Sequence, residues 1–69
     1  MNIYINGQAV TLTNQSTITD ALQYYLSETQ KKHSFAVALN CDFVAKSDYA
    51  QTYLTHNDAL DVLFPIQGG

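Results

Sequence analysis

The sequence predicts an α+β domain in two layers: a mixed sheet of four to five strands, one main helix across one face, and an extended C-terminal tail. Three observations carry this reading. Asn6-Gly7 separates two alternating apolar segments; Ile18, Ala21, Leu22, Tyr25 and Leu26 recur at the spacing of one helical face; and Leu60 to Phe64 is the most apolar strand-like segment in the chain.

In order, Asn2 to Asn6 reads as a strand with Ile3 and Ile5 on one face and Tyr4 on the other. Asn-Gly tolerates positive φ at both central positions of a two-residue turn, so the chain returns at once through Gln8 to Thr13, with Val10 and Leu12 inward. After the polar loop Asn14 to Thr17, the helix is expected to begin near Thr19. That threonine is placed to cap it, and Asp20 suits the positive end of the helix dipole. The helix should fade by Gln30 and lead into Lys31-Lys32, cations where the dipole is negative.

Phe35 to Leu39 alternates again and reads as a third strand. Asn40-Cys41-Asp42 turns the chain into a short strand at Phe43 to Ala45, and Ser47 to Thr52 reads only as a helical turn. His56-Asn57-Asp58 is a turn signal before the final strand, Leu60 to Phe64. A strand apolar on both faces belongs in the interior of a sheet, which places the last strand beside the first. Pro65 lacks an N–H and marks where that strand leaves the ladder. Residues 1–65 therefore form one domain, and 66–69 form a tail that reaches roughly 13 Å when extended. This element order is the β-grasp plan.

Composition limits the function. A chain of 69 residues makes one small domain that buries only about 60% of its unfolded surface. Cys41 is the single cysteine, so no internal disulfide forms and a reducing, cytoplasmic setting is expected. No export segment or stretch of about 18 apolar residues is present, which argues against a membrane. Charged residues are 13% of the chain and its net charge is −3, so the clustered cations that nucleic acid requires are missing. A surface so low in charge suits docking onto other proteins.

The candidate site is the tail. The sequence stops at Gly68-Gly69, and a free backbone carboxylate is expected on Gly69. Glycines have no Cβ and pass through a channel too narrow for a side chain, so the tail suits delivery into an enzyme. Other chemistry is sparse. His33 and His56 lie in separate loops without metal-ligand spacing, so no metal is expected; Asp58 reads as a turn residue and Asp61 as an outward strand residue. Cys41 is the one rival sulfur carrier, as a persulfide, and its nearest basic neighbour is Lys46.

Ile3-Tyr4-Ile5-Asn6-Gly7, Thr19 to Leu26, Ala36 to Asn40, Asp58 to Phe64 and Gly68-Gly69 together resemble the ThiS-type sulfur carriers of thiamine biosynthesis, ubiquitin-like β-grasp domains ending in Gly-Gly. Two positions depart from that pattern: Asn57-Asp58 stands where Gly-Asp is usual, and Cys41 where Gly is common. The resemblance implies a protein cosubstrate and not an enzyme. A ThiF-type adenylyltransferase would use ATP to adenylate Gly69, a persulfide donor would convert it to a thiocarboxylate, and thiazole synthase would take the sulfur. Ile66, Gln67 and Gly68 would be recognised as the tail. No cofactor is expected to be bound. The small subunit of molybdopterin synthase, a ubiquitin-like protein modifier and a noncovalent β-grasp interaction domain share the fold and stay open.

Strand parity adds a docking face. If Ile3, Ile5, Val10, Leu12, Val37, Leu39, Val62 and Phe64 pack beneath the helix, then Tyr4, Ala36, Ala38 and Leu63 emerge on the opposite face beside the root of the tail.

Overall fold

Asn6 and Gly7 both take positive φ, 51° and 81°, and so join β1 (Asn2–Ile5) to β2 (Gln8–Thr11) in the tight hairpin that Asn-Gly favours. The same conformation recurs at Asn40 and Cys41, φ 49° and 73°, between β3 (Ala36–Leu39) and β4 (Asp42–Val44). The structure, a computed structural model, describes residues 1–66. Within these the sheet has five strands in the order β2-β1-β5-β3-β4, with β5 (Ala59–Leu63) at its centre. β5 runs parallel to β1 and antiparallel to β3. The final strand is therefore central and adjacent to the first, as expected, but only one of its faces is buried: Leu60 and Val62 enter the core, while Ala59 and Leu63 are exposed and Asp61 is half-buried.

The helix α1 (Ile18–Tyr25) starts earlier than the sequence suggests, and its cap is Thr17, not Thr19. The Asp20 amide donates to Thr17 Oγ1 at 3.3 Å, while the Thr17 amide donates to the Asp20 carboxylate at 2.9 Å. Asp20 thus closes a reciprocal capping box three residues after Thr17, and the apolar Ile18 falls inside the helix. Nor does the helix run on to Gln30. It stops at Tyr25, Leu26 is extended, and Ser27 caps a separate short helix α2 (Glu28–Lys31) through a second box with Gln30. Two Ser/Thr boxes within ten residues break one expected helix into two, because each offers the backbone a local alternative to the helical ladder.

The core lies between α1 and one face of the sheet. Ile3, Ile5, Ile18 and Leu60 are fully buried, with Val10, Ala21, Leu22, Val37 and Val62 around them. Each large aliphatic side chain so buried contributes about 1.5–3 kcal/mol. One core residue, Tyr49, comes from the stretch that had read only as a helical turn, now a 3-10 helix at Lys46–Gln51, and a second, Leu54, follows just after it. Backbone bonds hold that stretch to the start of α1, from Ile18 to the Thr52 carbonyl and from Leu54 to the Ser16 carbonyl.

Phe64 is a further correction. It lies beyond the end of β5 and is 36% exposed, packing on Phe35 with ring centroids 5.6 Å apart, and so is not part of the core beneath the helix. The ladder ends at Leu63, so strand parity no longer fixes the direction of Phe64.

Candidate functional site

The tail leaves the sheet where β5 ends, and side chains from both flanking hairpins fix the position of that strand. At the end nearer the tail, Val62 donates its amide to Asn6 Oδ1 at 2.7 Å, and Asn6 Nδ2 donates to the Val62 carbonyl at 3.2 Å. At the other end, the Ala59 amide donates to Asn40 Oδ1 at 2.9 Å while the Asn40 backbone amide donates to the Ala59 carbonyl at 2.7 Å. Both asparagines are the first residue of a left-handed turn, where the backbone leaves the ladder. A side-chain amide then supplies the acceptor that the departing carbonyl no longer offers. From the sequence these asparagines read only as turn formers; their place directly after strands flanking the central one was the available signal.

Asp58 anchors the turn that feeds β5. Its carboxylate accepts from the Thr55 amide at 2.7 Å, the Thr55 hydroxyl at 3.1 Å and Asn40 Nδ2 at 3.0 Å. Burial tends to raise its pKa, but the Thr55 and Asn40 hydrogen bonds outweigh that and hold the carboxyl below its ordinary value. Asn57 takes φ 72° in this turn, a conformation asparagine accepts more readily than most residues, so its departure from Gly is mild.

On the open face of the sheet, Leu63 stands opposite Ala36, and Ala38 lies between Phe43 and Asp61. Tyr4 is 43% and Leu63 48% exposed, and Ala36 is exposed as well. Ala38 is not. It is only 6% exposed, because a methyl group flanked by two larger cross-strand neighbours is shielded by them. Phe43, absent from the expected face, is its most exposed ring at 73%. Being on an edge strand, it has a sheet neighbour on one side only. Phe43, Leu63, Phe64 and Pro65 line a shallow apolar depression at the root of the tail.

Ile66 follows, 95% exposed. Gln67, Gly68 and Gly69, the remaining residues expected to be recognised or modified, lie outside the described residues. Cys41 is exposed at its turn, and His56 accepts the Asn2 amide on Nδ1 at 3.1 Å. Among the described residues no cluster of three His, Cys, Asp or Glu side chains converges as a metal site, and no helix is long and apolar enough to cross a membrane.

Comparison with known proteins adds to this geometry. The model of the ThiS family matches residues 3–69. A crystal structure of the thiamine biosynthesis protein ThiS from Geobacter metallireducens superposes with a TM-score of 0.79 over 100% of both chains at 22% identity. A solution structure of a thiamine biosynthesis protein from the same organism gives a TM-score of 0.71 at 22% identity, covering 100% of this chain and 88% of that one. At that identity the likeness to these structures is one of fold. No curated protein sequence matches the chain. The family match runs from the first strand through Gly68 and Gly69, and the chain belongs to the ThiS family, small sulfur carriers of thiamine biosynthesis.

Proposed function

We propose that this protein carries sulfur as a thiocarboxylate on Gly69 and delivers it to thiazole synthase for the thiazole ring of thiamine. The observation that carries this reading is the family match extending through Gly68-Gly69, on a domain whose central strand ends in an exposed Pro65-Ile66 lead. A carboxylate is a poor electrophile. A ThiF-type adenylyltransferase joins it to AMP from ATP, releasing pyrophosphate, and AMP then serves as leaving group. The terminal sulfur of a persulfide attacks the acyl carbon and displaces AMP, and a second thiol cleaves the resulting acyl disulfide to leave the thiocarboxylate. The domain provides a grip and a narrow tail while its partners supply the catalysis, so it is consumed and recharged as a cosubstrate.

Intact-protein mass tests this directly. The purified chain must first have the mass of a protein ending at Gly69. Incubation with ATP, the activating enzyme and a persulfide donor should then exchange one oxygen for one sulfur, and thiazole synthase with its substrates should reverse the gain. An unchanged mass overturns the carrier reading, and a thiocarboxylate that thiazole synthase leaves intact overturns the thiazole assignment. Adducts on lysines that survive reducing agents would instead identify a protein modifier.

A further inference from the structure

The chain has only three basic side chains, Lys31, Lys32 and Lys46, against six acidic ones. The fold gathers all three on one side. Lys31 and Lys46 border a groove of about 330 Å³ between α1 and the 3-10 helix, whose apolar lining includes Leu22, Leu26, Phe35 and Tyr49. A second depression adjoins it and is lined by all three lysines together with His33. A third connects Lys32 and His33 to Phe64 and Pro65, at the root of the tail. None of the six acidic side chains is among the residues lining these three depressions. An acidic protein therefore presents a cationic, apolar-floored groove that leads to the start of its reactive tail.

Sequence order does not account for this, since Lys46 lies on a different element from Lys31 and Lys32. Lys31 is engaged locally, with Nζ 3.2 Å from both Gln23 Oε1 and Glu28 Oε1. That is the one ion pair among the described residues. Lys32 and Lys46 are exposed and have no ion pair there, which leaves their charge to act outward.

We propose that this groove receives an acidic segment of the activating enzyme, with carboxylates set against Lys32 and Lys46 and an apolar side chain against Leu26 and Phe35. Charge complementarity selects the chemistry of the partner: on a protein of net charge −3 all three lysines border these depressions, and Lys32 and Lys46 are left without an ion pair among the described residues, so an anionic segment is favoured here. Continuity with Phe64 and Pro65 points to the partner: the third depression joins Lys32 and His33 to the residues that precede the tail, so an enzyme that draws in the tail would pass over this end of the groove. The proposal rests on the carrier reading above. Contacts of this kind act mainly on encounter rate and binding, and salt weakens them.

The test is the charge-reversed variant Lys32→Glu/Lys46→Glu in ATP–pyrophosphate exchange catalysed by the activating enzyme, at about 50 mM and about 300 mM salt. The expected result is a KM for the carrier roughly tenfold higher at the lower salt, an unchanged kcat, and a difference that shrinks at the higher salt. Lys32→Gln/Lys46→Gln should show a smaller change of the same sign, and circular dichroism checks that both variants are folded. Exchange with an unmoved KM overturns the groove while leaving the carrier reading intact. A shift in the constant for thiazole synthase alone overturns the assignment to the activating enzyme. If the wild-type chain supports no exchange at all, the carrier reading fails and this proposal fails with it.

Discussion

The Asn6 side chain is bonded at both ends to the backbone of Val62, accepting its amide at 2.7 Å and donating to its carbonyl at 3.2 Å. In a continuing parallel ladder the Val62 amide would donate to the backbone carbonyl of Asn6. Because the chain turns away at φ 51°, Oδ1 takes that role, and the β1–β5 pairing is extended by one step toward the tail. Asn6→Gly keeps the positive φ available and deletes both bonds. It should cost about 1–2 kcal/mol, which in a domain of this size lowers Tm by about 4–8 °C per kcal/mol. Hydrogen exchange gives the specific readout: the Val62 amide should lose protection, and unchanged protection there would remove the clamp from the account of β5.

Asp58 makes stability depend on acid. Burial pushes its pKa up, but the Thr55 and Asn40 hydrogen bonds more than offset that, and the folded-state value lies below the ordinary 3.8. A group whose folded pKa is depressed stabilises the fold above its unfolded pKa, and that stability is lost as pH falls through the folded value. Urea midpoints measured between about pH 6 and pH 2 should therefore fall less steeply at the acid end for Asp58→Asn than for the wild type. Identical slopes for the two proteins would mean that the acid dependence arises elsewhere.

Cys41 holds φ 73° without being glycine, at a cost in the left-handed region of order 1 kcal/mol. Cys41→Gly should raise stability by about 0.5–1 kcal/mol, measured by thermal denaturation. Cys41→Ser should retain sulfur transfer. A Cys41→Ser protein that is adenylated on Gly69 yet carries no sulfur would move the carrying role to the thiol.

The tail gives two further expectations. In the proposed carrier, one residue added after Gly69 would displace the carboxylate that reacts, so complementation of thiazole synthesis should be lost while circular dichroism is unchanged. If the tail is threaded through a channel too narrow for a side chain, as the proposed delivery requires, the methyl group added by Gly68→Ala should slow adenylation. Wild-type adenylation kinetics for Gly68→Ala would remove the steric argument.

How much of this was legible in the sequence depended on whether the signal was local. Asn6-Gly7 announces its hairpin because φ > 0 is a property of those two residues, and the central place of β5 was legible because Leu60, Val62 and Leu63 make it the most apolar strand, even though its open face also carries Asp61. The Thr17–Asp20 box was also local, but Thr19 offered a competing cap two residues later, and the reciprocal Thr17–Asp20 hydrogen bonds, with Ile18 buried inside the helix, decide between them. Tyr49 and Leu54 were not legible, since a 3-10 helix has no strong periodicity and their burial depends on backbone bonds to Ser16 and Ile18, far away in sequence. On the open face parity gave the side but not the exposure. Ala38 and Phe43 are paired across strands, and the difference in their sizes exposes one and covers the other.

That difference sharpens where the activating enzyme should dock. Leu63 is 48% exposed opposite Ala36, beside the last residues before the tail, and Phe43 is 73% exposed on the edge strand of the same face. Burying what remains of the Leu63 side chain contributes about 1–1.5 kcal/mol, or roughly tenfold in affinity. Leu63→Asp should therefore raise the KM of the activating enzyme for the carrier about tenfold with little change in kcat, because Leu63 lies well before Gly69, the residue proposed to react, in the sequence. Leu63→Ser separates lost apolar contact from added charge and should show a smaller rise. Phe43→Ala should shift KM in the same direction, whereas Ala38→Ser, at a position only 6% exposed, should leave it unmoved. Circular dichroism and Tm establish that each variant is folded. An unchanged KM in folded Leu63→Asp and Phe43→Ala proteins would place the interface off this face, and the tail would then be drawn in without help from the sheet.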